Sequence, residues 1–394
     1  MLRWLSAFSL VLLISMPGRA ETKITVSQLD ALLAEQHSQG KPDDATADKL
    51  KQVELTESLS PVAMNAFIKY QPGPLTIVQI RALALLSALL PPPPADLPTA
   101  PAPDTPTQTA IVARAVDYTV KQFSQLPAFT ADKVTDHYQS GADAINVGAG
   151  VGGKMGHTEL GDAPTTPYIH YLGHNSSVIV SERGIELPPA KVKGKDPVSH
   201  NGQISQSGSG PILGIILIDA GHGTMSWKRW ETINGKQIAV FAFAVNRKQS
   251  HYQVNYCCFP QTEDVGNHGA PIYAGGNSGP TTANYGTNTS FVPFKASVGY
   301  HGELFIDPET GTIVRLIAQA EMKPTDLVRQ EDMRIDYTPV QVAGKKYIVP
   351  TQTMILTEVV PSGNSFAKFN TRRTLFDIQY QNYQPASAAP ATKQ

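Results

Sequence analysis

The chain has 394 residues, with 32 Lys and Arg against 33 Asp and Glu, and it contains 31 Pro, 31 Gly and 2 Cys. Only 16% of its residues are charged, against roughly 25% in an ordinary soluble domain. The near-zero charge balance gives no electrostatic reason to bind nucleic acid, and two cysteines are too few for a disulfide scaffold.

The first 20 residues predict a secretory signal peptide. Arg3 supplies the positive start, an apolar stretch runs from Trp4 to Met16, and Gly18-Arg19-Ala20 gives the small-x-small cleavage pattern. An uncleaved anchor helix is the alternative, but this run is shorter than the ~20 residues that span a bilayer. We therefore expect an exported protein, periplasmic or extracellular, with no transmembrane span after signal removal.

Residues 21–90 predict a helical domain, a bundle of four short elements. The start signals of the first three elements are Thr25 or Ser27, Asp43 or Asp44, and Ser60 followed by Pro61. The fourth element is the run at 76–90, which is apolar on nearly every side and is expected to be buried between the other helices. Val53 and Leu55 continue the second helical pattern. Residues 91–107 hold eight prolines in seventeen positions, which predicts a semi-rigid Pro-rich linker.

Residues 108–383 predict one helix followed by a large antiparallel β-sheet, and residues 384–394 a disordered tail. Three hairpins carry turn residues at their tips: Asn234-Gly235, Asp307 to Gly311, and Gly344. Hairpins in succession imply an antiparallel meander, because parallel strands need long crossovers. The predicted fold class is α+β, with the N-terminal helical bundle followed by a large curved antiparallel β-sheet.

The stretch from Gly299 to Tyr383 contains YHGELFIDPETGTIVRLIAQAE, RIDYTPVQVAGKKYIVPTQTMIL and FNTRRTLFDIQY. It resembles the periplasmic half-barrel of the outer-membrane lipoprotein carrier (Lol-type) superfamily. The resemblance implies a half-barrel-like sheet whose concave apolar face holds acyl chains beneath covering helices. It carries over no individual ligand-contact residue.

A second resemblance lies in the run Ile215 to Gly223, where apolar residues lead into Asp219-Ala220-Gly221-His222-Gly223. It resembles the strand-end motif of zinc-dependent N-acetylmuramoyl-alanine amidases, in which the His is the first zinc ligand. The resemblance implies a metal site at His222, with Glu231 and His251 as further candidates. An apolar helix or strand that ends at a Gly-rich turn is the simpler interpretation.

Three patterns of polar and aromatic residues are better explained as the faces of β-strands than as catalytic, metal-binding or sugar-binding sites. His301, Glu303 and Phe305 share a strand face that we expect to be solvated, although a His and a carboxylate two residues apart can also bind metal or act as acid and base. His170 and His174 lie on a strand-like segment, which disfavours a helical metal site. Trp227 and Trp230 are expected on opposite strand faces.

The sequence leaves the state of the two cysteines open and disfavours a dinucleotide-binding site. The adjacent Cys257 and Cys258 fit two buried thiols, a strained vicinal disulfide, or one exposed thiol. Gly148, Gly150 and Gly153 match a dinucleotide-binding pattern but lack the strand before and the helix after them, so they predict a loop.

The sequence favours an exported, non-catalytic envelope protein without a cofactor, which binds an apolar ligand or lipid on the concave face of the sheet. Two alternatives stay open: a zinc-dependent amidase-like cell-wall hydrolase, and a structural protein that interacts with an envelope partner.

Overall fold

The computed structural model of the protein describes residues 22–140, 168–182, 184–187, 202–203, 211–261, 290–360 and 371–386. The predicted signal peptide at 1–20, the glycine pattern at 148–153 and most of the predicted tail lie outside these residues. The strand that ends the described chain continues to Pro385, two residues beyond the predicted limit of the sheet domain.

The helices are α1 (Val26–Ser38), α2 (Asp43–Leu50), α3 (Pro61–Ala66), α4 (Pro74–Ser87), α5 (Thr105–Gln125) and α6 (Pro211–His222). Short 3₁₀ turns occupy Phe67–Tyr70 and Pro94–Asp96. No helix in the described ranges combines the length and the hydropathy that a membrane crossing requires.

The strands are β1 (Thr22–Ile24), β2 (Val53–Leu55), β3 (Phe129–Gln139), β4 (His170–Glu182), β5 (Ile185–Glu186), β6 (Gly202–Gln203), β7 (Thr224–Ile233), β8 (Lys236–Val245), β9 (Gln253–Gln261), β10 (Ser290–Ser297), β11 (Gly299–Ile306), β12 (Ile313–Glu321), β13 (Val328–Val342), β14 (Lys345–Val359) and β15 (Arg372–Pro385). Helices and a large antiparallel sheet together confirm the α+β class.

Sequence signals set the starts of the N-terminal helices. Thr25 and Gln28 form a capping box at α1, and the Ser60 hydroxyl accepts from the backbone N–H of Ala63 at α3. Helix α2 begins at Asp43, as predicted, and the Asp43 carboxylate also caps α4, where it accepts the N–H groups of Leu75 and Thr76.

The N-terminal region also contains strands, so an all-helical bundle is not confirmed there. Val53 and Leu55 are buried on one side of β2, which pairs in parallel with β1. Their spacing of two fits a strand, and the backbone of residues 22–24 provides the neighbour that a strand needs. The helical pattern predicted through Leu55 therefore ends at Leu50.

The large sheet has ten strands in the order β5-β4-β3-β15-β14-β13-β12-β11-β8-β7, and all neighbours are antiparallel. The three predicted hairpins are present. Asn234 and Gly235 both have positive φ, as do Ala343 and Gly344, which suits two-residue hairpin turns. Within the described strands the sheet is open, with β5 and β7 at its edges.

Strand β9 does not join this sheet. It pairs with β10 and β6 in a separate three-stranded sheet, because β8 is already flanked by β7 on one side and β11 on the other. Cys257 and Cys258 lie in β9, but their thiols fall outside the described side chains.

The two faces of the large sheet are covered by different parts of the chain. Helices α5 and α6 pack on one, which we call the helix-covered face; its buried side chains include Phe241, Leu304, Leu316, Ile335, Ile355 and Ile378. The end of α4 packs on the opposite face, whose buried side chains include Val240, Phe305, Ile317, Met354 and Leu375.

The Pro-rich segment connects the helices on the two faces. The indole Nε1 of Trp230, in the edge strand β7, donates to the carbonyl oxygen of Pro101 at 2.9 Å. Asp104 then caps α5 by accepting the N–H of Thr107 at 2.9 Å, so the last three residues of the predicted linker are helical. The segment passes the β7 edge of the sheet between α4 and α5.

Candidate functional site

The helix-covered face is the largest apolar surface that the described residues bury. Ile111 and Ala115 of α5 and Ile212 and Ile216 of α6 are at most 3% exposed and belong to the same core cluster as the sheet side chains. Helix α5 is amphipathic because its buried residues, which include Ile111 and Ala115, recur at helical spacing. The geometry is that of an apolar sheet surface with two helices lying on it.

A cavity of about 30 Å³ lies between α5, the start of α6 and strands β12 to β14. Its walls are formed by Tyr118, Thr119, Gln122, Leu126, Phe129, Gly184, Leu213, Ile313, Tyr337, Ile348, Val349 and Pro350. Since one water needs roughly 10–15 Å³ by this measure, the cavity has room for about two waters. A longer molecule would fit only if a helix moved away from the sheet.

Tyr337 is one of four described polar residues in the cavity wall, together with Tyr118, Thr119 and Gln122. It lies in β13, its side chain is 6% exposed, and its hydroxyl has no hydrogen-bond partner among the described residues. Burial raises the pKa of Tyr337, and the nearby Tyr380 and Asp336 add to that rise. The phenol is therefore neutral at ordinary pH.

The last turn of α6 is held by a buried carboxylate. Asp219 is 0% exposed and accepts three hydrogen bonds: from the His251 backbone N–H at 2.8 Å, from the His251 imidazole Nδ1 at 2.6 Å, and from the Tyr300 hydroxyl at 2.9 Å. Because a carboxylate only accepts, the proton lies on Nδ1. Burial and the Asp219 carboxylate both raise the pKa of Tyr300.

The run Ile215 to Gly223 is a helix end, not a strand end, and this removes the structural basis of the amidase resemblance. A short apolar run cannot be assigned to helix or strand by periodicity alone; here Pro211 begins a helix that ends at His222. His222 is exposed beyond Asp219.

The three candidate zinc ligands do not meet. Glu231 lies on the opposite face of the sheet, where its carboxylate is 2.8 Å from Arg229 and 3.7 Å from Arg315, whereas the His251 imidazole is bound to Asp219. Among the residues that the structure describes, no group of three His, Cys, Asp or Glu side chains can hold a metal ion.

The opposite face carries an ion-pair cluster. Lys228 and Arg229 both contact Glu303, at 2.5 Å and 2.8 Å, and the ring of Phe305 lies 5.8 Å from the Arg229 guanidinium. The prediction of a solvated face is correct for the exposed His301 and wrong for Phe305, which is 1% exposed. The reason is that the ion pairs and the end of α4 cover this side of the sheet.

Trp227 and Trp230 lie on the same face, contrary to the prediction. A β-bulge places Trp227 opposite Phe241 and Arg229 opposite Val240, so that Lys228 is an extra residue in β7. The extra residue shifts the alternation by one, and the two indole rings meet edge to face at 4.8 Å.

His170 and His174 lie in strand β4, as predicted. Neither joins a metal-ligand group in the described ranges: the imidazole Nδ1 of His174 is 3.1 Å from the hydroxyl of Tyr171, and the ring of His170 packs edge to face on Tyr168.

Sequence reasoning missed the contacts of Asp219 and the unpaired hydroxyl of Tyr337. His251 and Tyr300 are 32 and 81 residues from Asp219, so no local pattern links them. A single carboxylate at the end of an apolar run was the available signal, since such a group needs buried partners. Comparison with family models, curated proteins and solved structures gives no match to the chain.

Proposed function

We propose that the protein is an exported, non-catalytic envelope protein that binds an apolar ligand or lipid between the helix-covered face and helices α5 and α6. Export rests on the predicted signal peptide at 1–20. The half-barrel shape and the comparison with lipoprotein carriers rest on the sequence resemblance. The observation that carries the proposal is the apolar cavity at the junction of the sheet with both helices.

Ligand binding on this scheme requires helix movement, because the cavity holds only about two waters. The chemistry of α6 is compatible with movement. It is apolar on nearly every side, and Ile218 is 61% exposed on its outer surface. Among the residues that the structure describes, the polar attachment of the helix is confined to Asp219 in its last turn, so the first turn, which lines the cavity, has no polar contact to hold it. Val120 on the outer side of α5 is 64% exposed.

The first test is mass spectrometry of solvent extracts from protein purified from the periplasm, together with titration of the neutral fluorescent probe N-phenyl-1-naphthylamine. We expect a co-purifying lipid and saturable fluorescence enhancement. A protein that carries no lipid and leaves the probe dark would refute the proposal.

A pair of variants on α6 locates the binding site. Leu213 lines the cavity and Ile218 points outward, so Leu213→Trp should abolish probe binding and Ile218→Trp should preserve it. Overpacking costs about 1–3 kcal/mol, so circular dichroism must show that Leu213→Trp is folded. Ile348→Phe, which adds less volume to the same cavity, repeats the test. Equal binding by all variants would place the probe elsewhere.

A partner-binding role is the second candidate, favoured by exposed apolar side chains in the N-terminal region. Val62 is 79%, Ile68 67% and Leu75 53% exposed. A photo-crosslinking residue at Val62, with one at Asp48 as control, should capture one specific envelope protein in cells if this role is correct. Identical products at both positions would argue against it.

A further inference from the structure

The hydroxyl of Tyr337 differs from those of Tyr252, Tyr300 and Tyr383, and resembles that of the nearby Tyr380, which also has no hydrogen-bond partner among the described residues. The Tyr252 hydroxyl donates to Glu331 at 3.2 Å, that of Tyr300 donates to Asp219 at 2.9 Å, and that of Tyr383 donates to the carbonyl of Pro350. Tyr337 is as deeply buried, at 6% exposed, but its hydroxyl finds no partner in the described part of the chain. A buried hydroxyl left in this state is unfavourable, and native structures rarely keep one without a reason.

The surroundings of Tyr337 explain why the protein does not satisfy it. Leu126, Phe129, Ile313 and Val349 are apolar members of the same cavity wall. The Thr119 hydroxyl of the same wall donates to the carbonyl of Ala115 at 2.8 Å, and neither Thr119 nor Gln122 is a hydrogen-bond partner of the Tyr337 hydroxyl. Tyr337 belongs to the wall of this cavity, so a ligand that enters as the helices move from the sheet brings its acceptor to that wall.

The charge of the wall restricts the acceptor. Among the described residues that line the cavity there is no Lys, Arg, His, Asp or Glu. A ligand carboxylate buried here would have no cation to balance it, and an uncompensated buried charge is costly. A neutral carbonyl oxygen carries no such penalty and accepts well from a neutral phenol.

We infer that Tyr337 is a specificity-determining residue, whose hydroxyl donates to a neutral carbonyl oxygen and so selects acyl esters or amides over hydrocarbons and over fatty-acid anions. This inference rests on the proposed function, because it assigns a selection rule to the same cavity. It adds a polar requirement to a site whose wall is mainly apolar.

The test is displacement of N-phenyl-1-naphthylamine from the full protein by three compounds of similar chain length: methyl laurate, tetradecane and laurate at pH 8. Wild-type protein, Tyr337→Phe and Tyr380→Phe are compared for each compound, so that differences in aqueous solubility cancel. Tyr380 is 3% exposed on the same face but does not line the cavity, which makes it the matched control.

Tyr337→Phe should weaken displacement by methyl laurate about two- to tenfold, the value of one neutral hydrogen bond, and leave tetradecane unchanged. Tyr380→Phe should leave both unchanged, and laurate should displace poorly throughout. Without ligand, Tyr337→Phe should unfold at a higher temperature than wild type, because it removes an unsatisfied group.

The outcomes distinguish the proposed function, which is binding of an apolar ligand, from the inference that Tyr337 selects a carbonyl group. If the probe does not bind wild-type protein, the proposed function fails and the inference fails with it. If the probe binds but methyl laurate responds equally in wild type and Tyr337→Phe, the cavity binds apolar molecules and the inference alone is overturned. A lower unfolding temperature for Tyr337→Phe together with unchanged displacement would show that the hydroxyl serves the fold, and would also overturn it.

Discussion

The imidazole Nδ1 of His251 lies 2.6 Å from a carboxylate oxygen of Asp219, and this contact joins the last turn of α6 to the residues that lead into β9. Helix α6 is otherwise apolar, so its polar attachment to the sheet is concentrated at Asp219. The position of the helix over the cavity depends on that attachment.

We expect Asp219→Ala to lower the free energy of unfolding by about 3 kcal/mol, because it leaves the buried Tyr300 hydroxyl and the His251 backbone N–H without an acceptor. Urea denaturation monitored by circular dichroism measures this free energy of unfolding. His251→Ala is the control: its imidazole is 71% exposed and its backbone bond survives, so the loss should stay below about 1 kcal/mol. Equal losses in both variants would contradict the assignment of the carboxylate as the anchor.

Arg229 and Lys228 contact the same carboxylate, Glu303, but differ in burial: the Arg229 side chain is 13% exposed and that of Lys228 46%. Arg229→Ala leaves buried carboxylates without their cation and should cost about 3–5 kcal/mol. Lys228→Ala removes an exposed partner and should cost at most about 1 kcal/mol. Chemical denaturation measures the loss of stability in each variant. A larger loss for Lys228→Ala than for Arg229→Ala would contradict the prediction.

The same cluster predicts a loss of stability in acid. Burial alone would raise the pKa of Glu303, but the hydrogen bonds and charges of Arg229 and Lys228 hold it below the ordinary value of 4.5. A depressed pKa means that the stabilisation is complete above pH 4.5 and is lost as the pH falls through the folded-state value. Stability curves from pH 6 to pH 3 should therefore fall less steeply for Glu303→Gln than for wild type.

Asp377 should behave in the opposite way. It is 7% exposed and lies directly across from Asp136 in β3. Burial first, and then the Asp136 charge, raise the pKa of Asp377 above 3.8, although hydrogen bonds from Gln352 and Gln379 oppose the rise. A raised carboxyl pKa destabilises the native state at neutral pH, and this cost disappears as the pH falls towards 3.8.

We therefore expect Asp377→Asn to stabilise the protein by about 1 kcal/mol at pH 7, the size of one cross-strand like-charge pair, and by less at pH 4. Thermal unfolding at both pH values checks this. Asp96→Asn removes the same charge from an exposed turn and should change stability little. A destabilised Asp377→Asn at pH 7 would mean that the carboxylate has a favourable partner.

Gly302 occupies a position in β11 where no side chain fits. A methyl group there would overlap the carbonyl oxygen of Ile317 and approach the ring of Phe243 to 2.8 Å. Gly302→Ala should therefore destabilise the protein by about 2–3 kcal/mol. At Gly221 in α6 nothing lies within 4 Å, so Gly221→Ala should instead stabilise by about 0.5–1 kcal/mol. Calorimetry should show shifts of opposite sign.

The predictions that proved correct rest on the turn and cap preferences of neighbouring residues in the sequence. The Asn234-Gly235 turn and the Asp307 to Gly311 turn each fix the conformation of a few consecutive residues, so the hairpins around them follow from the sequence. The same holds for the cap at Ser60. These features depend on the backbone preferences of neighbouring residues, and distant parts of the chain have little influence on them.

The wrong predictions depend on distant partners or on one extra residue. Val53 forms a strand because residues 22–24 pair with it. The run before His222, for which the sequence left helix and strand open, forms a helix that packs on the apolar surface of the sheet. Lys228 inverts the predicted faces of the two tryptophans through a single bulge. The contacts of Asp219 and the isolation of Tyr337 exist only after the strands have assembled.

The bulge at Lys228 has a consequence for how copies of this protein behave at high concentration. Strand β7 is a ten-residue edge of an open sheet, and a long flat edge is a template on which another chain can add a strand. The extra residue bends that edge, and the Lys228 charge would have to be desolvated by any incoming strand. We therefore expect the bulge and charge at Lys228, which also orient the tryptophans, to disfavour polymerisation through this edge.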